Sequence, residues 1–187
     1  MTVPKVAILL AEGFEEAEAI IIYNALCRLK IEVHLLACQN QIIVTSYHNI
    51  EMKAHALLME KQSTLYDAII LPGGPDGTIN LGKNPDVIQF IQSHDAAGKW
   101  ICPICSAAVK VLNKNNLLKG RKYVCSGDLY KNAHDGVFVD QDVVLDKNLF
   151  SGKGLGMAFK FAFTLGELLN IDKKEVKFQA EHIYVSY

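Results

Sequence analysis

Short, uninterrupted apolar runs alternate with longer amphipathic segments along most of the chain. Four of these runs predict strands, at Lys5–Leu10, Ile31–Ala37, Ala68–Leu71 and Trp100–Ile104. Lys5–Leu10 and Ala68–Leu71 lack the polar–apolar alternation of a strand that has one face in water, so we expect both to be buried. The pattern therefore predicts a sheet whose two faces are both covered, as parallel sheets are.

Apolar residues at helical spacing predict four helices, at Glu15–Leu29, Asn84–Ala97, Ser106–Asn113 and Gly156–Leu169. The first has acidic residues in its first turn, and the second has Pro85 at its first helical position, and both features favour a helix start. Strands that alternate with helices predict an α/β fold, with a mostly parallel sheet and helices on both faces.

Weaker apolar runs predict further short strands at Tyr123–Cys125, Val137–Val139, Val143–Leu145 and Leu149–Ser151, and a polar excursion with short strands at Gln41–Met52. The sequence contains no internal repeat, low-complexity tract or linker rich in Pro, Gly and Ser. Because 187 residues suit one domain with a full hydrophobic core, we predict a single domain over residues 1–187.

Composition and charge exclude several classes of partner. Hydrophobic residues make up 50% of the chain and charged residues 21%, with a formal net charge of −1. No basic field is available for nucleic acid phosphates, and no polybasic run suggests an anionic membrane surface. The apolar runs fall far short of the roughly 20 residues of a membrane span. Acidic residues come too early at the N-terminus for a signal peptide, so we expect a cytoplasmic protein.

The chain has 5 cysteines, an odd number without an export signal, which argues against a disulfide scaffold. Cys102 and Cys105 form a C-x-x-C pair, the spacing of redox motifs and of half a zinc site. In an extended strand the two cysteines would lie roughly 10 Å apart, too far for a disulfide. A zinc site would need further ligands at suitable spacing, and the 6 histidines are scattered. We therefore predict neither a redox pair nor a metal site.

Cys105 lies between a predicted strand and a predicted helix. A side chain at such a turn projects beyond the carboxyl end of the sheet, as the nucleophile of a strand–turn–helix elbow does. The helix N-terminus would lower the pKa of its thiol. A buried core cysteine at a strand end fits the local pattern equally well.

Two further segments would meet Cys105 at the same edge of the sheet. Gly73 and Gly74 follow the strand Ala68–Leu71, and an N–H group of this loop could form an oxyanion hole with that of Ser106. Glu18 lies among apolar residues in the first helix, and burial there would keep its carboxyl protonated. A plain turn and a helix start rich in acidic residues would explain the same residues.

The three motifs LAEGFEEAE, AIILPGGPDG and ICPICSAA together resemble the ThiJ/PfpI superfamily, closest to its branch of parkinsonism-associated protein deglycases. The resemblance implies a flavodoxin-like three-layer sandwich with a nucleophile elbow, similar to class I glutamine amidotransferases. It implies a reactive Cys105, a protonated Glu18, and an oxyanion hole made by Gly74 and Ser106. It also implies a homodimer with the first helix in the interface.

The chain departs from the family pattern at several positions. Ser106 stands where protease-type members have a histidine, which argues against peptidase activity. Ser126 stands near the place of a histidine that deglycase-like members carry, and His134 is a candidate replacement. Leu155 alters a pocket wall beside the last helix, and His48 stands about where the partner subunit of branch members supplies an arginine.

The resemblance favours a cysteine-dependent enzyme, a glutathione-independent glyoxalase or protein deglycase of the lyase or hydrolase class, linked to protection from oxidative stress. Its substrates would be methylglyoxal, glyoxal or their adducts on protein side chains, and no cofactor or metal is predicted. The alternative is a redox-sensing or chaperone-like protein that uses an oxidisable Cys105 without significant turnover. The predicted pocket residues beside Cys105 and Glu18 are Gly73, Ser126, His48 and Leu155.

Overall fold

A seven-stranded central sheet organises the computed structural model, which describes residues 3–186. The strands are β1 Lys5–Leu10, β2 Glu32–Ala37, β3 Ile43–Thr45, β4 Glu51–Lys53, β5 Ala56–Leu57, β6 Ala68–Leu71, β7 Trp100–Pro103, β8 Lys122–Tyr123, β9 Val137–Phe138, β10 Val143–Asp146 and β11 Leu149–Gly152. The order in the main sheet is β10-β11-β7-β6-β1-β2-β5. β10 is antiparallel to β11, and the other pairs of neighbours are parallel.

Helices cover both faces of this sheet. They are α1 Glu16–Arg28, α2 Gly77–Lys83, α3 Pro85–Ala96, α4 Ala158–Leu168 and α5 Lys173–His182. Successive residues of β1 point to opposite faces, so Ile8 joins a core cluster with α1 and α4, while Leu9 joins a second cluster with α3. This double burial explains the uninterrupted apolar runs and gives the predicted flavodoxin-like three-layer sandwich.

Two small sheets lie outside the main one. β3 and β4 form an antiparallel pair within the predicted polar excursion. β8 and β9 form a short parallel pair between β7 and β10 in the sequence. Among the described residues, no helix combines the length and the apolar character that a membrane crossing requires.

The structure corrects the predicted helix Ser106–Asn113. Residues 105 and 106 form a turn, helical backbone begins at Ala107, and Ala108–Leu112 is a π-helical segment. The carbonyl of Lys110 packs against α2 at Gly82, where an added Cβ would lie 2.7 Å from that oxygen. The glycine thus permits this close contact between the two elements.

Two helices were not predicted from the sequence. α2 is only seven residues long and contains two glycines, which are weak helix formers. α5 buries only Val176 and Ala180, four residues apart, so its apolar stripe is short. Asp172 caps α5 by accepting the N–H of Lys174 at 2.8 Å.

Candidate active site

Cys105 occupies the turn that follows β7. Its backbone φ is +61°, in the left-handed region that non-glycine residues rarely adopt. Its N–H donates to the carbonyl of Gly152 on β11 at 2.9 Å, and Ile104 forms an isolated bridge with the same glycine. These contacts hold the strained turn in place and leave the side chain half-buried, which is the geometry of a nucleophile elbow.

Cys102 and Cys105 lie in different environments. Cys102 belongs to β7, is fully buried in the core, and its thiol pKa is raised well above the ordinary value by burial. Both cysteines are free, as are Cys27, Cys38 and Cys125. The C-x-x-C spacing therefore corresponds to one core residue and one residue at the edge of the sheet.

Glu18 approaches Cys105 from α1 across the Gly73 loop. The carboxyl is fully buried, and Oε2 accepts the N–H of Gly73 at 2.7 Å. A Cβ added to Gly73 would lie 2.8 Å from Glu18 Oε2 and 3.0 Å from Cys105 Sγ. The glycine is therefore required, because any side chain would displace the thiol or the carboxyl. Glu18 Oε1 is buried without a hydrogen-bond partner among the described residues.

Burial raises the pKa of Glu18 from 4.5 to about 7. Hydrogen bonds with the N–H of Gly73 and with Cys105 oppose this rise, and the charge of Glu15 adds to it. The side chain is thus poised to gain or lose a proton near neutral pH, as a general acid–base group requires.

The expected lowering of the Cys105 pKa is wrong. Burial, followed by the negative charge of Glu18, raises the pKa of this thiol to about 11. Hydrogen bonds from Ser126 and from the N–H of Ser106 oppose the rise without cancelling it. Desolvation outweighs the helix N-terminus here because the thiolate is the charged form of the side chain. Cys105 therefore needs a proton acceptor, and Glu18 is the titratable group beside it.

Gly74 and Ser106 carry the two N–H groups of the predicted oxyanion hole. Gly74 has a φ of +103°, and an added Cβ would overlap the carbonyl oxygen of Gly13. Its N–H has no protein acceptor among residues 3–186. Ser106 is buried, and its N–H points toward the Cys105 sulfur. The Gly74 N–H is thus available for a new oxygen atom, and the Ser106 N–H lies where an oxygen bonded next to the sulfur would form.

Ser126 is the residue that the family resemblance leads us to expect near the cysteine in place of a histidine. Its N–H donates to the carbonyl of Cys105 at 3.2 Å, and its side chain hydrogen-bonds the thiol and lowers the thiol pKa. An added Cβ on Gly154 would lie 3.9 Å from Cys105 Sγ and 3.9 Å from Ser126 Cβ. Leu155, the next residue, is 43% exposed. The backbone around Gly154 thus forms one wall beside the sulfur.

The two candidate histidines hydrogen-bond residues other than Cys105. His48 Nδ1 lies 2.6 Å from Glu16 Oε1, and the His48 side chain is 63% exposed. His134 lies within hydrogen-bonding distance of Asn113 and Asn116, at 3.4 Å and 3.0 Å. These asparagines follow the π-helical segment, away from its start beside Cys105. His134, the candidate for the missing histidine, therefore forms its hydrogen bonds with these asparagines and not with the thiol.

Glu15, Glu16 and His48 form the group of possible metal ligands found among residues 3–186, with one ligand atom of each within 4.8 Å of the others. Burial pushes the pKa of Glu16 upward, but hydrogen bonds from its own backbone, His48 and Ser46 outweigh burial and lower it. A charged Glu16 paired with His48 accounts for their short contact.

Sequence reasoning missed Thr78, a fully buried residue of α2. Its hydroxyl lies 2.8 Å from the carbonyl oxygen of Gly74 and 3.3 Å from Oγ of Ser106. It joins the two loops that carry the oxyanion N–H groups. The only sequence signal was a hydroxyl residue four positions after Gly74, which has meaning only once α2 is known.

Solved structures share this fold. A DJ-1 superfamily protein from Salmonella typhimurium, solved as a cysteine-to-alanine mutant, has a TM-score of 0.97 and 57% identity, covering 98% of this chain and 100% of the other. DJ-1beta from Drosophila melanogaster has a TM-score of 0.95 and 28% identity, covering 100% of both chains.

Curated relatives include named enzymes. Deglycase PfpI from Pyrococcus furiosus is 31% identical over 160 residues, covering 81% of this chain and 91% of the relative. The glutathione-independent glyoxalase DJ-1 of Schizosaccharomyces pombe is 28% identical, covering 87% and 90%. The chain spans only 37% and 42% of the length of two DJ-1 homologues from Arabidopsis thaliana that it also matches. The model of the DJ-1/PfpI family matches residues 4–168, so the chain belongs to the DJ-1/PfpI family.

Proposed function

We propose that this protein is a cysteine-dependent enzyme acting on small aldehydes, a glutathione-independent glyoxalase that also removes methylglyoxal or glyoxal adducts from protein side chains. The observation that carries the proposal is the meeting of Cys105 Sγ and the Glu18 carboxyl at Gly73. A nucleophile, a proton carrier with a pKa of about 7 and two N–H donors suit addition to a carbonyl.

The first step is addition of sulfur to the aldehyde. Glu18, in its carboxylate form, takes the thiol proton as Cys105 Sγ bonds to the aldehyde carbon. The carbonyl π electrons move to oxygen, which the N–H groups of Gly74 and Ser106 stabilise. Glu18 then returns the proton to this oxygen, which completes a hemithioacetal. Because Cys105 begins as a thiol, the proton acceptor is essential at neutral pH.

The second step converts the hemithioacetal of methylglyoxal to a thioester. A base removes the hydrogen from the former aldehyde carbon, and the electrons form an enediol with the neighbouring ketone. Protonation of the ketone carbon then gives a lactoyl thioester on Cys105. Water cleaves the thioester to lactate and the free thiol, so the net reaction adds one water and needs no external oxidant. Glu18 is the group we propose for these proton transfers.

The test is turnover of methylglyoxal to lactate by the wild type and by two cysteine variants. We expect Cys105→Ser to abolish turnover, while Cys102→Ala, a matched control in the adjacent strand, keeps it. A second arm uses N-acetylcysteine and N-acetyllysine adducts to measure deglycation. Full turnover by Cys105→Ser would refute the proposal, and turnover of free aldehyde alone would restrict it to glyoxalase activity.

A redox function is the second candidate, because the buried Glu18 carboxyl lies beside the thiol and its Oε1 has no hydrogen-bond partner among the described residues. Two equivalents of peroxide would convert the thiol to a sulfinic acid and release two waters. Protonated Glu18 would then donate to a sulfinate oxygen. Intact-mass analysis after mild peroxide supports this function if two oxygens are added at Cys105 in a protein that shows no aldehyde turnover.

A further inference from the structure

Thr78 connects the two loops that supply the oxyanion N–H groups. It is fully buried on α2, and its Oγ1 lies 2.8 Å from the carbonyl oxygen of Gly74. The same Oγ1 lies 3.3 Å from Oγ of Ser106, which is also buried. The hydroxyl therefore contacts both halves of the proposed oxyanion hole.

The direction of these hydrogen bonds follows from the number of protons. The carbonyl oxygen of Gly74 can only accept, so the single hydroxyl proton of Thr78 goes to Gly74. Ser106 must then be the donor in its contact with Thr78. The result is a chain from Ser106 O–H to Thr78 O–H to the Gly74 carbonyl, in which each bond polarises the next.

This series of hydrogen bonds constrains the loop at Gly74, which has little stiffness of its own. Gly74 has no Cβ, and its φ of +103° is one of many values that a glycine can adopt. Its carbonyl receives a second hydrogen bond from the backbone N–H of Thr78 at 3.2 Å. Together the two bonds fix the peptide group between Gly74 and Pro75, and with it the Cα of Gly74 next to the N–H. The Ser106 hydroxyl ties this peptide group to the Cys105 turn.

We propose that the Thr78 and Ser106 hydroxyls form a buried clamp that sets the separation of the Gly74 and Ser106 N–H groups. Thr78 is thereby a positioning residue for the oxyanion that forms when Cys105 adds to a carbonyl. The inference rests on the proposed function. It assigns a role to Thr78, whose hydroxyl hydrogen-bonds Gly74 and Ser106 and not the thiol or Glu18.

The test compares Thr78→Val, which keeps the shape and removes the hydroxyl, with Thr78→Ser, which keeps the hydroxyl. We expect Thr78→Val to lower kcat for methylglyoxal about tenfold, less than the direct loss of an oxyanion donor, with little change in KM. Thr78→Ser should retain most of kcat. Adding Ser106→Ala to Thr78→Val should lower kcat little further, because Thr78→Val has already removed the hydrogen bonds that link Ser106 to Gly74. Equal kcat for wild type and Thr78→Val, or equal losses in Thr78→Val and Thr78→Ser, would overturn the clamp.

A binding measurement separates this inference from the proposed function. Carbon-13-labelled glyoxal reports the hemithioacetal on Cys105 by NMR without requiring turnover. If the wild type forms this adduct without product, the glyoxalase proposal fails. The clamp then predicts an adduct dissociation constant about tenfold higher in Thr78→Val and nearly unchanged in Thr78→Ser. Unchanged dissociation in both variants would refute the clamp, and absence of both adduct and product in the wild type would refute both proposals.

Discussion

Gly73 donates its backbone N–H to Oε2 of Glu18 at 2.7 Å in the protein interior. This hydrogen bond holds the carboxyl beside Cys105, and Oε1 has no partner among the described residues. A carboxylate needs more than one donor to replace its hydration shell, so its charged form is costly at this position. The pKa of about 7 is the result.

Stability should therefore depend on pH through Glu18. The folded pKa of about 7 lies above the ordinary value of 4.5, so the folded state holds this proton to higher pH than the unfolded state. The contribution of the group to the free energy of unfolding is greatest below pH 4.5 and falls as pH rises through 7. Relative to Glu18→Gln, wild type should lose roughly 3 kcal/mol between pH 4 and 8. Urea unfolding of both proteins at several pH values measures this difference. Unfolding free energies that change equally with pH in the two proteins would contradict the prediction.

Removal of the Glu18 charge should separate thiol reactivity from catalysis. The pKa of Cys105 is raised by burial and then by the Glu18 carboxylate, so Glu18→Gln should lower it. Alkylation of Cys105 by iodoacetamide at pH 8 should become several-fold faster in Glu18→Gln. Turnover of methylglyoxal should fall in the same variant, because the proton carrier is lost. Peptide mapping by mass spectrometry follows the alkylation, with Cys105→Ser as the blank, and slower alkylation would contradict the prediction.

The Ser126 hydroxyl should support the thiolate of Cys105. Its hydrogen bond lowers the thiol pKa, against the larger effect of burial. Ser126→Ala should therefore raise the pKa and shift the pH profile of alkylation upward, whereas Ser126→Thr keeps the hydroxyl and should remain close to wild type. Coincident profiles for Ser126→Ala and wild type would show that the hydrogen bond has no influence on the thiol.

Cys102 should behave as a core residue. It is fully buried in β7, so Cys102→Ala should cost about 1 kcal/mol or more of unfolding free energy through lost packing. Its turnover should equal that of wild type. A Cys102–Cys105 disulfide would lower the intact mass by two hydrogens. Mild oxidation of wild type with diamide should not cause this loss. Such a disulfide would contradict the assignment of separate roles.

The homodimer expected from the family resemblance remains a prediction, and α1 offers a place to test it. Ile20 is 46% exposed on this helix although its neighbours Ala19 and Ile22 are buried. If α1 forms the interface, Ile20→Glu should place a charge in it and shift the protein from a dimer toward the 20.7 kDa monomer. Analytical ultracentrifugation of both proteins decides this, and a monomeric wild type would end the prediction.

The local sequence was sufficient to predict an element where the residues of that element alone show how it is buried. The runs at Lys5–Leu10 and Ala68–Leu71 predicted buried strands because both faces of a parallel strand need apolar residues. The order of motifs also identified Glu18 and Cys105 as neighbours at the carboxyl edge of the sheet, since parallel strands end there together. α2 escaped prediction, and Ala108–Leu112 was predicted as part of an ordinary helix and not as a π-helical segment, because tertiary packing, not helix propensity, decides both.

The sequence by itself determined the α/β architecture, the burial of Cys102 and the turn at Cys105. Only the tertiary structure decided the pKa of the Cys105 thiol and the hydrogen bonds through which Thr78 contacts the oxyanion loops. The pKa of Cys105 depends on how deeply the thiol is desolvated and on which carboxyl faces it, and neither can be read from spacing. Thr78 lies four residues from Gly74 but 28 from Ser106, and its role depends on the packing that brings both within reach of one hydroxyl.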